Sequence, residues 1–375
     1  MRTLDSMNLA GKRVLLRIDL NSSISGNRVL DNPRFKEHAD TIKELIKRKA
    51  IIVILAHQGR PREKDFISLR QHSKILNKYV KVKFVDDIIG KKALNEIEKL
   101  KIGETLLLEN VRFLKEEFNN IKDNNFIKLF SKRFDYYCND AFSLMHRNET
   151  SITGFPKIMP SFIGPVALKE LNALEKIKSK IKNALFILGG NKPKEVSLLI
   201  KNNKVLSTGI LSLLALKSLG IKLGKEDELL KNEKEIVNEI KKHNKTISFP
   251  KDIALNINGK RKEIFLNELP SNYEIWDIGK ETVKEYAKEI KKAKIIFFKG
   301  SAGMAQHDDF SYGTKELLKE ILKSKAFSVI AGGSSSEAIE RFKLNKNKFG
   351  HISLSGGALV YYLAGKKLPG LEVLK

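Results

Sequence analysis

Arg17, Arg34, His57, Arg60, Arg112, His146 and Arg147 each stand just past an apolar run, or in the loop that follows one. Guanidinium forks match phosphate and carboxylate oxygens two at a time. In an open α/β sheet, ligands bind outside the carboxyl ends of the strands. Cationic and protonatable groups gathered at that edge would form a pocket for a small polyanion. A bland surface would scatter them without regard to strand ends. The second half places a different chemistry at comparable positions: Gly189-Gly190, Gly300, Gly332-Gly333 and Gly356-Gly357 close successive apolar runs. Glycine at such turns lets backbone N–H groups approach a phosphate at a helix N-terminus, so the repeated pattern points to a nucleotide-binding face. Neither G-x-x-x-x-G-K-[ST] nor G-x-G-x-x-G occurs, so neither the P-loop nor the usual dinucleotide fingerprint applies.

The elements that must position these groups are short β-rich runs alternating with helical stretches. The runs are 14–20, 50–56, 80–85, 105–110 and 136–142 in the first half, and 184–190, 204–210, 294–300, 327–333 and 351–357 in the second. Continuous apolar runs without strict alternation suit strands covered on both faces, and intervening helices imply parallel crossovers. So many strands overfill one sheet. The expected class is α/β, with two doubly wound parallel-sheet (Rossmann-like) domains joined by a hinge helix. The expected boundaries are 1–164 for the first domain, 165–182 for the hinge helix, 183–355 for the second domain, and a tail at 356–375 packing back on the first. The hinge reading rests on ALKELNALEKIKSKIKN, which has helical spacing and follows Gly164-Pro165.

The 375 residues carry 70 Lys and Arg against 44 Asp and Glu, a net charge of +26. The lysines are interleaved with glutamates along the whole chain rather than massed in one block, which describes a solvated surface. Non-specific polyanion affinity at low salt follows from the charge, but no specific nucleic-acid partner is expected. The single cysteine, Cys138, excludes an intrachain disulfide, lies in an apolar run and reads as inert core. The start MRTLDSMNLAGKR lacks a signal-peptide pattern, and the longest apolar run, 50–56, is too short for a bilayer. A cytoplasmic monomer without membrane contact is expected.

Several segments in chain order resemble phosphoglycerate kinases. RIDLN (17–21) is similar to that family's R-V-D-F-N, LDNPRF (30–35) to D-x-x-R-I, and AHQGRP (56–61) to H-L-G-R-P. LLENVRF (107–113) matches L-L-E-N-x-R-F, and NDAFSLMHR (139–147) resembles N-D-A-F-G-x-x-H-R. Further on, GGNK (189–192), FPKD (249–252), KGSAG (299–303), AGGSS (331–335), HISLSGGA (351–358) and LPG (368–370) stand where the family has G-G-A-K, L-P-x-D, N-G-P-x-G, G-G-G-D-[ST], H-I-S-T-G-G-G-A and a closing L-P-G. The compact length resembles archaeal members.

The resemblance implies a phosphotransferase acting reversibly between 1,3-bisphosphoglycerate and ADP, giving 3-phosphoglycerate and ATP in glycolysis and gluconeogenesis, with Mg²⁺ on the nucleotide. It assigns Arg34 and Lys192 to the transferring phosphoryl group. It assigns Arg17, Asp19, Asn21, Arg34, His57, Arg60, Arg112, His146 and Arg147 to the glycerate. It assigns Gly189, Gly190, Lys192, Gly209, Lys299, Gly300, Gln306, Gly332, Gly333, Ser334 and Ser335 to the nucleotide, and no residue to a dedicated protein metal site. The nucleotide half departs from the family pattern. Val196 stands for a second lysine, Ser334 for an aspartate, Lys299 and Ser301 for the Asn and Pro of N-G-P, Ala305-Gln306 for Phe-Glu, and Thr208 and Ser355 for glycines. A β-carbon at the last two positions is expected to hinder backbone approach to a phosphate. Asp308 and Asp309 read as surface acids rather than metal-side carboxylates. The competing reading is a degenerate, non-catalytic homologue that binds phosphoglycerate or other polyanions.

Overall fold

The structure is a computed structural model that describes residues 1–118, 124–201 and 203–375. It divides into two compact units, Met1–Asn172 with Lys367–Lys375, and Ala173–Lys366. The division falls inside the helix Pro165–Lys178.

In the first unit the strands are β1 (Arg13–Arg17), β2 (Ile24–Ser25), β3 (Arg28–Val29), β4 (Ile51–Leu55), β5 (Lys83–Phe84), β6 (Thr105–Leu107), β7 (Tyr136–Asn139) and β8 (Ser161–Ile163). Six of them form a sheet in the order β5-β6-β4-β1-β7-β8, parallel throughout. β2 and β3 form a separate small hairpin. The apolar runs behave as the two-faced pattern requires. Val14, Leu16, Ile52 and Ile54 enter one buried cluster, while Leu15, Val53 and Leu55 enter another on the opposite face. Each such side chain contributes about 1.5–3 kcal/mol on burial. Cys138 is fully buried in β7, and burial pushes its thiol well above the ordinary range. Residues 367–375 return to this unit, where the Gly370 N–H donates to the Met145 carbonyl at 2.9 Å.

The second unit contains β9 (Ala184–Leu188), β10 (Lys204–Ser207), β11 (Ile247–Ser248), β12 (Asp252–Ile257), β13 (Lys260–Phe265), β14 (Glu274–Ile278), β15 (Ile295–Lys299), β16 (Phe327–Ala331) and β17 (His351–Ser353). A second six-stranded sheet has the order β11-β10-β9-β15-β16-β17, again all parallel. The antiparallel sheet β13-β12-β14 stands apart from it. In each large sheet the winding reverses beside the first strand, between β1 and β7 in one and between β9 and β15 in the other. Loops diverge at such switch points and leave a crevice at the carboxyl ends. Among the described residues, no helix is long and apolar enough to cross a membrane.

Candidate active site

The loops at the first switch point bring most of the expected glycerate residues into one chain of contacts. Asn32 caps the helix Pro33–Lys47 by accepting from the Arg34 N–H at 3.0 Å, and Pro33 occupies the first helical position. This fixes Arg34 at the start of the helix. Its guanidinium donates to the Asn21 carbonyl at 2.7 Å and lies 3.4 Å from Asp19 Oδ2. Asp19 also accepts from Ser143 Oγ at 2.5 Å and from the Asn21 N–H at 3.0 Å. Burial alone would raise this carboxyl. Arg34 and the hydrogen bonds outweigh it and hold the group well below the ordinary carboxylate range. Asn21 Oδ1 accepts from the Gly59 N–H at 2.9 Å, and the Gly59 carbonyl accepts from Arg112 at 2.6 Å. Arg112 and Arg147 then share one carboxylate oxygen, Glu149 Oε1, at 2.8 and 3.1 Å.

His57 follows β4 and is buried. Its Nδ1 lies 3.3 Å from an Arg17 nitrogen. A guanidinium has no acceptor, so Nδ1 must accept, and the proton of a neutral ring sits on Nε2. Burial, with Arg17 and Arg112 nearby, pushes this imidazole well below its ordinary pKa. His57 is therefore a neutral N–H donor at neutral pH. Arg17 itself is fully buried behind it. Its remaining nitrogens donate to the Ile18 carbonyl and to Ser151 Oγ, at 2.5 and 2.9 Å. Arg17 thus orients His57 from the interior rather than facing the open loops. Arg60 stands outside the cluster, 63% exposed and 3.8 Å from Glu63. His146 is half-buried beside Arg147 in the same loop.

Sequence reasoning passed over three supports of this site. Glu149 pins two arginines; its signal was an acid two residues after a basic pair. Gln58 ties the loop after β1 to the loop after β4 through the Ser22 N–H and carbonyl, at 2.9 and 3.1 Å. Glu117 is fully buried and accepts from the Ser151 N–H and Oγ at 2.8 and 2.6 Å, so it stands behind Arg17. Burial raises its pKa to about 7 against the opposing pull of Arg17.

At the second switch point the construction is backbone on backbone. Gly189 N–H donates to the Lys299 carbonyl, Gly190 N–H to Ser301 and Gly209 N–H to Ala302, at 2.8, 2.8 and 3.0 Å. Gly300 has φ +83, and a Cβ there would lie 2.3 Å from the Gly189 carbonyl oxygen, so only glycine fits. Ser335 Oγ accepts from the Gly300 N–H at 3.2 Å, tying the start of the helix Gly333–Arg341 to this turn. Gly332 precedes that helix with φ +94.

A cleft of about 950 Å³ opens beside these turns, with Gly190, Gly209, Ser301, Gln306, Ser334 and Trp276 in its wall. The Trp276 indole donates to Glu274 at 3.0 Å and packs edge-on against Phe310. Asp277, also in the wall, is buried. Burial raises its carboxyl to about 6, while Arg261 at 2.8 Å and the Gly313 N–H oppose the shift. Lys192 is 71% exposed ahead of the short helix Pro193–Val196, and the Lys299 side chain is buried within 3.3 Å of Glu195.

The two lost glycines prove harmless to the backbone. Thr208 has φ −139 and faces inward, with its hydroxyl 3.1 Å from the Leu188 carbonyl. The described non-glycine residues with positive φ are Lys49, Arg62, Asn258 and Lys343, so neither Thr208 nor Ser355 needs a left-handed conformation. Asp308 is exposed and paired with Arg341 at 2.6 Å. Among the described residues, no cluster of three His, Cys, Asp or Glu side chains is placed to hold a metal ion.

A model of the phosphoglycerate kinase family matches residues 4–366. The chain belongs to the phosphoglycerate kinase family. It is 38% identical over 397 residues to the phosphoglycerate kinase of Methanothermus fervidus, covering 100% of this chain and 96% of that protein. To that of Sulfurisphaera tokodaii it is 37% identical, covering 99% and 95%. Among solved structures, phosphoglycerate kinase from Pyrococcus horikoshii superposes with a TM-score of 0.92 at 33% identity, covering 100% of this chain and 98% of that one. The Coxiella burnetii enzyme gives 0.82 at 28%, with the same coverage. The archaeal resemblance and the α/β architecture with parallel sheets therefore stand, and the chain is an enzyme of the phosphotransferase class.

Proposed function

We propose that the cluster at the first switch point binds phosphoglycerate and the cleft at the second binds ADP or ATP. Phosphate would pass reversibly between 1,3-bisphosphoglycerate and ADP. The observation that carries this reading is the unbroken contact chain from Arg34 through Asp19, Asn21, Gly59 and Arg112 to Glu149 and Arg147. It presents cations at one sheet edge, each already oriented by an acceptor.

The chemistry asks for little acid–base work. The group leaving the acyl phosphate is a carboxylate, a stable anion at neutral pH. What remains is positioning and charge stabilisation of the phosphoryl group. Arg34 and Lys192 are assigned that task. Ionised Asp19 and the Asn21 amide would accept the glycerate hydroxyl. His57 would donate through Nε2–H, and Arg112, Arg147 and His146 would hold the phosphate that stays. Arg17 supports His57, and Arg60 contributes at the rim.

Beside the cleft, the Gly189-Gly190, Gly209, Gly300 and Gly332-Gly333 turns would follow the phosphate chain, with Ser334 and Ser335 near them, and Gln306 in the cleft wall would meet the ribose. A magnesium ion arriving on the nucleotide fits this donor set. It would be held by phosphate oxygens and water, with the Ser334 hydroxyl donating to a phosphate oxygen beside it, because Mg²⁺ keeps several waters and does not demand a protein cage. It would supply neutralisation of phosphate charge. The enzyme is assigned to the cytoplasm as a monomer.

The deciding experiment is a coupled assay with 3-phosphoglycerate, Mg²⁺ and ATP, GTP or pyrophosphate. Turnover with ATP that disappears in Lys192→Ala and in Arg34→Ala supports the reading. No turnover with any donor, alongside measurable phosphoglycerate binding, would reduce the protein to a binder.

A further inference from the structure

Lys299, at the end of β15, has a carboxylate neighbour, Glu195. Its side chain is only 10% exposed, and its ammonium lies 3.3 Å from Glu195 Oε2. That ammonium is also 3.8 Å from the point where a Cβ on Gly332 would stand, which places it at the mouth of the turn opening the helix Gly333–Arg341. The other oxygen of Glu195 is 3.9 Å from Lys192 Nζ. One carboxylate therefore spans two ammoniums that come from two different strand ends. We propose that Glu195 is a built-in anion that holds Lys192 and Lys299 together at the glycine turns, and yields both to the phosphate chain of an incoming nucleotide. Lys299 is then the second phosphate-binding cation of the site. Lys192, Glu195 and Lys299 stand at the glycine turns rather than in the wall of the cleft, and the inference rests on the nucleotide reading of the second switch point.

Three features support it. A lysine as buried as Lys299 needs a compensating anion. Burial lowers its pKa while Glu195 opposes the shift. Second, the two partners differ in freedom. Glu195 is 29% exposed on a four-residue helix and can turn to solvent, whereas Lys299 is enclosed at a strand end. A polyphosphate, with more charge and more acceptor oxygens than one carboxylate, displaces the partner that can move. Third, position 196, where the resemblance places a second lysine, holds a buried valine. Lys299 reaches the same short helix from the strand beneath it, so the charge missing from one element is supplied by another.

The test is calorimetric binding of adenosine, ADP and ATP in EDTA at low ionic strength, to the wild-type chain and to Lys299→Met and Glu195→Gln. Adenosine has no phosphate and reports the cleft alone. Lys299→Met is expected to weaken ADP and ATP about tenfold or more while leaving adenosine unchanged. Glu195→Gln is expected to tighten ADP and ATP by roughly threefold to tenfold, again without moving adenosine, because no internal anion then competes. The gap between ADP and adenosine is the readout that a merely structural ion pair would not shift. The proposal is overturned if Glu195→Gln weakens ADP or leaves it unchanged, or if adenosine and ADP move together. Should Lys299→Met fail to fold, the direction of the Glu195→Gln effect decides alone. If the wild-type chain binds neither adenosine nor ADP, the nucleotide reading itself is wrong and this inference goes with it. If it binds adenosine and ADP while the variants behave as wild type, only the inference is lost.

Discussion

The two switch-point sites are built from different materials. In the first unit, side chains do the holding: arginines are fixed by carboxylates and carbonyls, and a neutral histidine is fixed by an arginine. In the second, backbone N–H groups and carbonyls of glycine turns lock onto one another, and side chains stand around them. A side-chain site fails when a charge or its partner is removed. A backbone site tolerates many side-chain changes and fails when a β-carbon enters a tight turn. That contrast explains how Thr208 and Ser355 are accommodated while Arg34, His57, Arg112 and Arg147 all match the family pattern.

The largest effect should come from the cations assigned to the phosphoryl group. Arg34→Ala and Lys192→Ala are each expected to lower kcat by about 10³-fold or more, with an unchanged far-UV circular dichroism spectrum. A kcat within tenfold of wild type in either would remove that residue from its role. Next is Glu149→Ala, which leaves two arginines without the carboxylate they share. Its expected cost is about 3 kcal/mol or more in urea unfolding, with weaker phosphoglycerate binding. An unchanged midpoint would show that the first site does not depend on its internal counter-ion.

Gly300→Ala tests the backbone site at its tightest point. With φ +83 and the Gly189 oxygen 2.3 Å from the new carbon, a loss of about 2–3 kcal/mol is expected. Thermal unfolding reads it, and a shift below measurement error would contradict the close-approach argument.

An effect confined to one pH window is expected from Glu117→Gln. The folded chain keeps the Glu117 proton up to about pH 7, whereas the unfolded chain releases it near the ordinary glutamate value of 4.5. More protons are bound in the folded state across that window, so this residue's contribution to stability falls as pH rises from about 4.5 to about 7 and is level above. Glutamine has no proton to lose. The variant should gain on the wild type between pH 5 and pH 8, by at most about 3 kcal/mol. Parallel stability profiles for the two proteins would show that Glu117 does not titrate in that range.

Much of this architecture was legible in the residues. Each of the ten apolar runs overlaps a strand, because two-faced burial leaves a continuous hydrophobic signature. The antiparallel sheet β13-β12-β14 was missed although its signal was present. Asn258-Gly259, with φ +52 and +82, is the two-residue turn of a hairpin between Ile257 and Lys260. β8 and β11 lie outside the ten runs. At the first site, residue types and strand-end positions identified the cations, but not the acceptors that orient them. Glu149, Gln58 and Glu117 become partners only when loops distant in sequence meet. Arg17 showed the limit most clearly. Its place at a strand end allowed either a ligand contact or a supporting pair with a carboxylate, and its burial behind His57 depended on where Ser151 would fall.

The wall of the cleft also holds the chain's single tryptophan, Trp276. Indole emission follows the polarity and quenching of its immediate surroundings, so the protein carries its own optical probe at the proposed nucleotide site. Intrinsic fluorescence at 295 nm excitation would then report ligand occupancy of the cleft, in real time and without a label.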